Sequence, residues 1–502
     1  MGYETLDQAL KDISKLEKDL AAYRHALGVL EFDGATAAPS GSWEGRGVAM
    51  GVLSEAIYKL TTDESTGDLV EYLKSHKDEL DAVTCRKAEL ISRNYEQFHR
   101  IPAEEYVAYT VLVNDAQAAW EKAKNGNDFS VFQPYLQKIV DFNRKFAGYY
   151  HPEMQPYDAL LNEYEEGMTA EILDGFFARL RSAIVPLLEK IREKENPVYP
   201  FTDRYYPVEI QREFSGYLME VMGIDRNFCG IQESEHPFTT NFNHADVRIT
   251  THYYENNLLP SMYSVVHEGG HALYELGSDP VYDYTALYGG VSMGIHESQS
   301  RFYENIIGRS KAFIHAIFPK VRELFPEQMK DVEEDDFWRA VNRVEPSLIR
   351  IESDELCYCL HIMVRYEIEK QLIAGTLAVA DVPKLWNRLY SEYLGVEVPS
   401  DAMGCLQDIH WSCGNIGYFP SYALGSAYGA QMIHKMIQEL GDVYADVAKG
   451  DLSRVTGWLR ENIHRHASLK TPGQVLEDTC GKFDPEYYIA YLTEKYTDLY
   501  NL

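Results

Sequence analysis

A mainly α-helical fold carried by one domain is what the sequence predicts, on three observations. Apolar side chains recur at three- and four-residue steps, as at Leu6, Leu10, Ile13, Leu16, Leu20, Tyr23, Leu27 and Leu30, which sets them on one stripe of a helix. The same periodicity continues to about residue 195. No internal repeat, low-complexity tract or Gly/Ser linker divides the 502 residues, so one domain spanning 1–502 is expected in place of separable modules.

Taken in order, the helical pattern is interrupted at Pro39, Gly41 and Gly45, near Asn125–Asn127, at His151–Tyr157, and through Pro197, Pro200 and Pro207. One segment reads differently. In Asp246-Val247-Arg248-Ile249-Thr250 polar and apolar side chains alternate, the period of a strand, with Asp246, Arg248 and Thr250 on one face. Such a strand is either a small structural ribbon or, with a free hydrogen-bonding edge, a place for an extended peptide to pair.

Composition excludes several classes of partner. The chain carries 78 acidic and 47 basic side chains, a net charge of −31, which repels nucleic acid and anionic lipid. Seven cysteines, an odd number with no CxxC pair, predict buried free thiols in a reducing compartment. No basic start followed by an apolar stretch marks a signal peptide, and no apolar run nears the roughly 18 residues of a membrane span. Gly2 is followed by Leu6 where an acylation motif needs Ser or Thr, so no lipid anchor is expected. Together these predict a cytoplasmic location.

A helix is expected over Ser261–Leu276, with Pro260 before it and Gly277 after it, the usual asymmetry of helix ends. It contains His267-Glu268-Gly269-Gly270-His271. Residues four apart share a helix face, so His267 and His271 can converge on one ion, as they would on zinc. Glu268 stands one residue, roughly 100°, around the helix. It flanks the ion without ligating it, where a base can take a proton from the attacking water. Gly269 and Gly270 each cost a helix interior about 1 kcal/mol relative to alanine, which implies that another backbone or a substrate comes close. A third ligand is required. Glu275 is a poor candidate, because eight residues of helix separate it from His267 by roughly 12 Å. Glu297 is better: it follows Gly289, Gly290 and Gly294 and opens a second helical pattern that can turn back on the first. His296 is read as a supporting or substrate group.

With these residues in hand the chain resembles a known family, the metallocarboxypeptidases typified by Taq carboxypeptidase. Besides His267–His271 and the His296-Glu297-Ser298-Gln299 stretch, the matching motifs are His236-Pro237-Phe238, Asp246 to Thr250, Ile349-Arg350-Ile351-Glu352-Ser353-Asp354, Gly404 to Trp411, and Gly417 to Tyr422. Phe32-Asp33 with Thr36 and Pro39 matches an early segment, and Thr479 to Tyr496 a closing helix. Phe32 and Ala38 depart from the usual Trp and Met. The resemblance implies a helical, neurolysin-like zincin with a deep groove. Residues 1–195 would form its lid and wall, 196–502 its catalytic region, and a small sheet would lie beside the active-site helix. It implies a homodimer, one zinc or sometimes cobalt per chain, and removal of C-terminal residues from peptides with broad tolerance. Glu268 would be general base and then general acid. His410, Tyr418 and Tyr422 would be candidates to stabilise the oxyanion, with His236 and Asp246 as supporting groups. Arg248 and Arg350 would be candidate receptors for the substrate's terminal carboxylate, Arg350 held by Glu345, Glu352, Asp354 and Glu355. A related oligopeptidase that cuts internally or releases dipeptides, and an inactive peptide-binding scaffold, are the alternatives.

Overall fold

The computed structural model describes residues 3–502; Gly2 lies outside the described residues. The first helix, α1 (Leu6–Thr36), starts where the Thr5 side chain accepts from the Gln8 amide. Gly45 does not end the helical pattern as expected. Only the Pro39–Ser42 stretch does, and α2 (Trp43–Thr62) runs straight through Gly45, since glycine weakens a helix interior without forbidding it. The helices α3 (Glu64–Ser75) and α4 (Ala82–Arg100) complete an N-terminal bundle. Its core, with Ile13, Leu16, Leu20, Leu69, Leu73 and Ile91, is separate from that of the rest of the chain.

From α5 (Ala103–Gly126) onward the apolar residues form one large cluster reaching from Leu112 to Leu499. It takes in α6 (Phe129–Tyr150), α7 (Pro156–Tyr164), α8 (Ala170–Arg192) and α9 (Val208–Val221). The breaks fall where the sequence puts them. Asn127 ends α5 in the left-handed region at φ 51°, a conformation asparagine tolerates, and the proline-rich stretch separates α8 from α9. The site-bearing elements follow: α10 (Leu259–Leu276), α11 (Met293–Arg301), and, after α12 (Lys311–Leu324) and α13 (Glu334–Val341), α14 (Glu355–Ala374), α15 (Val382–Leu394) and α16 (Pro420–Leu440).

The sheet has three strands, β1 (Cys229–Glu233), β2 (Thr239–Asn243) and β3 (Asp246–Thr251), in the order β1-β3-β2. The expected strand is therefore present, but as the central one. β1 pairs with it in parallel and β2 antiparallel, so the two edges of the sheet belong to β1 and β2, not to β3. Alternation within one segment reveals a strand but not its neighbours. Val247 and Ile249 are buried, and opposite them on the same face of β2 stand Asn241 and Thr239, whose side chains reach α10. Thr250, expected with Asp246 and Arg248 on the polar face, is fully buried. Its hydroxyl accepts from Ser234 Oγ and the Phe238 amide, at 2.7 and 2.9 Å.

Candidate active site

Helix α10 presents His267 and His271 on one face, ring centroids 5.0 Å apart. Helix α11 crosses it at Gly270. A Cβ there would lie 2.7 Å from the Gln299 carbonyl oxygen and 2.8 Å from Ser300 Cα. The approach of a backbone implied by the glycine pair is thus real, and it brings Glu297 to the two histidines. From the other side, α16 comes so near that a Cβ on Gly425 would lie 2.5 Å from Glu297 Cβ. Gly270→Ala is accordingly expected to destabilise the fold by about 1–3 kcal/mol through overpacking. That outweighs the gain of about 1 kcal/mol in helix propensity. Gly269→Ala meets the ends of the Met222 and Ile224 side chains and no backbone, and should cost less. Thermal denaturation of the two variants checks the order.

One ligand atom from each of His267, His271 and Glu297 lies within 4.8 Å of the others. The remaining atoms of the imidazoles are engaged elsewhere, which fixes how they face. His267 Nδ1 meets Glu304 Oε2 at 2.8 Å. His271 Nδ1 meets His296 Nδ1 at 2.7 Å, and His296 Nε2 meets Glu275 Oε1 at 2.6 Å. A carboxylate accepts, so His296 donates through Nε2, and its Nδ1 accepts a hydrogen bond from His271 Nδ1–H. Both ligand histidines are thereby left with Nε2 unprotonated and directed at the common point. The donor set of two imidazoles and one carboxylate fits a catalytic zinc-type ion. Glu275, rejected as a ligand from spacing, is the anchor of this relay, and also accepts from Asn241 Nδ2 at 2.7 Å and the Gly290 amide at 3.1 Å.

Glu304 reaches His267 because the chain after α11 widens into a π-helix over Phe302–Ile307. Arg301 and Arg309 hold its carboxylate, well below the ordinary range despite burial. Sequence reasoning missed this residue, although its place seven after Glu297, on the same face of a continuing helix, was the available signal. Glu268 is buried beside the group. Thr239 Oγ1 from β2 donates to its Oε2 at 2.6 Å. Burial, and then the like charges of Glu297 and Glu304, raise the affinity of Glu268 for a proton.

The stretch 404–422 supplies a neighbouring wall, its Tyr418 and Tyr422 within reach of the Glu297 charge. His410 Nε2 lies 3.3 Å from the Tyr422 hydroxyl, and the rings of Tyr418 and Tyr422 are 5.2 Å apart, edge to face. Burial pulls His410 down to about 4, so it is neutral. Glu369 on α14 secures this wall, accepting from Trp411 Nε1 at 2.7 Å, the Gly417 amide at 2.9 Å and the Tyr157 hydroxyl at 3.0 Å. Nothing in the sequence singled out Glu369.

Arg350 has other surroundings than expected. Arg350 sits in a single 3-10 turn, Arg350–Glu352, not in a helix. Its carboxylate partner is Asp408, at 2.9 Å, which also binds the fully buried Arg365. The acidic neighbours in sequence are occupied elsewhere: Asp354 caps α14, and Glu355 pairs with Lys495. Arg350 is nonetheless linked to Glu297 through Tyr358 and Arg301. Its Nη1 donates to the Tyr358 hydroxyl at 2.8 Å, Arg301 stacks 4.1 Å over the Tyr358 ring, and Arg301 Nε is 3.4 Å from Glu297 Oε2. Arg248 forms a two-pronged pair with Asp246 and lies over the rings of Phe242 and Phe32. It faces α1, on the side of the sheet away from α10. His236 is exposed, and its backbone carbonyl accepts from Ser234 Oγ.

A family model described as carboxypeptidase Taq (M32) metallopeptidase matches residues 12–496. The chain is 41% identical over 494 residues to carboxypeptidase 1 of Bacillus subtilis, covering 98% of this chain and 99% of that one. It is 35% identical over 511 residues to thermostable carboxypeptidase 1 of Thermus thermophilus, covering 99% and 100%. Among solved structures, the M32 carboxypeptidase from Deinococcus radiodurans has a TM-score of 0.96 at 38% identity, over 99% of this chain and 100% of that one. The resemblance read from the motifs and the mainly helical fold with its small sheet are both borne out.

Proposed function

The chain belongs to the carboxypeptidase Taq (M32) metallopeptidase family and is a metallocarboxypeptidase; from that premise we propose that His267, His271 and Glu297 hold one zinc ion per chain and that Glu268 is the general base that opens the C-terminal peptide bond. The observation that carries this reading is the convergence of the three ligand atoms with Glu268 buried alongside on Thr239. The ligand set would also accept cobalt. A bound ion of this kind polarises the scissile carbonyl and makes water acidic enough to attack near neutral pH.

Glu268 takes the proton of the attacking water as the new C–O bond forms, and returns it to the leaving nitrogen as the C–N bond breaks. One of His410, Tyr418 and Tyr422 donates to the developing oxyanion, a role supported by the packing of His410 and Tyr418 against Tyr422. Arg350, or else Arg248, receives the terminal carboxylate, because a guanidinium can bond both of its oxygens. His236 and Asp246 support the site, and His296 orients His271. The single-domain chains pair as a homodimer in the cytoplasm, with the N-terminal helices as lid. The free state of all seven cysteines is consistent with that compartment, and among the described residues no helix is long and apolar enough to cross a membrane. Light scattering of the purified protein tests the assembly.

Mass spectrometry of a mixed-peptide digest tests the activity. A ladder shortened one residue at a time from the C-terminus is expected. Internal fragments or released dipeptides would overturn the exopeptidase reading in favour of an oligopeptidase. For the ligand set, Glu297→Ala should lose most of its metal and activity together, and elemental analysis reads this directly. Full metal content in that variant, with loss in Glu275→Ala instead, would show that Glu297 is not the third ligand.

A further inference from the structure

Something must hold the short helix α11 at the depth where Glu297 meets the two histidines. Gly270 and Gly425 only let it come close. Its first turn, however, is tied from outside. Glu165, which closes α7, has a buried carboxylate. Oε2 accepts from the Gly294 amide at 3.0 Å, and Oε1 from the Tyr428 hydroxyl on α16 at 3.2 Å. The Ser292 hydroxyl is a further donor to it.

Three features set this group apart. Among the described residues it has no cationic partner, unlike Glu304 and Asp408, and burial pushes it up to about 7. It joins three elements, α7, α11 and α16. And its bond to α11 ends one turn before Glu297, on a residue that has to be glycine: a Cβ on Gly294 would lie 2.5 Å from Glu165 Oε2. Glycine there lets the carboxylate reach the amide. A negative group at this end of α11 also suits the helix dipole.

We propose that Glu165 is a positioning residue for the metal centre: by holding the Gly294 amide it sets the height of α11 and so the place of Glu297 against His267 and His271. The inference rests on the reading of Glu297 as a ligand. Glu165 itself touches neither ion nor substrate.

The test uses the full-length protein and zinc affinity by competition with a chromophoric chelator, with denaturation of the metal-free form as the measure of folding. Glu165→Ala should weaken zinc binding by about 10–100-fold, the usual effect of losing an outer support of a ligand. Glu165→Gln should stay within about threefold of wild type, since its amide oxygen still accepts from Gly294 and the Tyr428 hydroxyl can reverse to accept. Glu165→Asp keeps the charge but withdraws it by one methylene, so it should lose affinity and alter the absorption spectrum of the cobalt-loaded protein. It serves if the alanine variant does not fold. Gly294→Ala should show the same loss, and Glu165→Ala with Gly294→Ala should bind zinc no more weakly than either alone, the methyl filling the vacated space. Wild-type affinity and cobalt spectrum in Glu165→Asp or Glu165→Ala would overturn the proposal. Full metal content in Glu297→Ala would instead overturn the ligand reading on which it rests.

Discussion

Replacing Glu268 by glutamine is expected to lower kcat by about 10²–10⁴-fold, the range for a general base, while ion and peptide binding remain. The substitution keeps size and shape in a buried position. The amide oxygen can still accept from Thr239 Oγ1, which donates to Oε2 at 2.6 Å in the parent, so the wall between β2 and α10 has no reason to move. Only the capacity to take a proton is lost. His267 and His271 keep their second bonds to Glu304 and His296, so the ligand group survives. The measurement is steady-state turnover on a preparation shown by elemental analysis to be metal-replete. Near-normal turnover in such a preparation would remove Glu268 from the role of base.

Amidation of a peptide's C-terminus is expected to abolish most of its cleavage without any change to the protein. It removes the terminal charge and leaves the scissile bond intact. A protein of net charge −31 has no bulk field to draw in a carboxylate, so a local cation has to do it. Removing that cation should cost about 2–5 kcal/mol, as for other charge pairs truncated on one side. Arg350→Ala is the variant expected to lose the distinction between acid and amide. It leaves Asp408 paired with Arg365 at 2.5 Å, so no buried carboxylate is stranded and the fold should hold. Arg248→Ala is the control, because its guanidinium lies over Phe32 of α1, on the side of the sheet away from α10. If Arg248→Ala alone abolishes the distinction, the receptor is Arg248. Rapid hydrolysis of amidated peptides by the parent enzyme would favour internal cutting.

What was legible in the sequence is what neighbours along the chain decide. Helix α1 follows from side chains three and four apart, and α10 with its two histidines follows from the same geometry. The rejection of Glu275 needed only the rise of a helix. Glu297 was legible because a glycine-rich turn and a new helical pattern restrict where the chain can go. The motif set then carried the family, since its members keep both order and chemistry over nearly the whole length.

Tertiary structure alone decided the partners. Thr239 and Glu268 are 29 residues apart, Gly294 and Glu165 129, Tyr428 and Glu165 263. No local pattern specifies such pairs, because each forms only when packing brings two elements within hydrogen-bond reach. The same holds for Arg350, whose acidic neighbours in sequence were poor guides. A 3-10 turn directs its side chain away from them and towards Asp408, 58 residues on. It holds for β3, whose alternation marked a strand while its central position depended on β1 and β2. The sequence by itself determined most of the helical pattern and the grouping of His267, Glu268 and His271, since spacing on a helix face is set by the backbone. Which groups orient and charge that centre was decided only by the fold, because a buried carboxylate or imidazole takes its role from the donors that packing places around it.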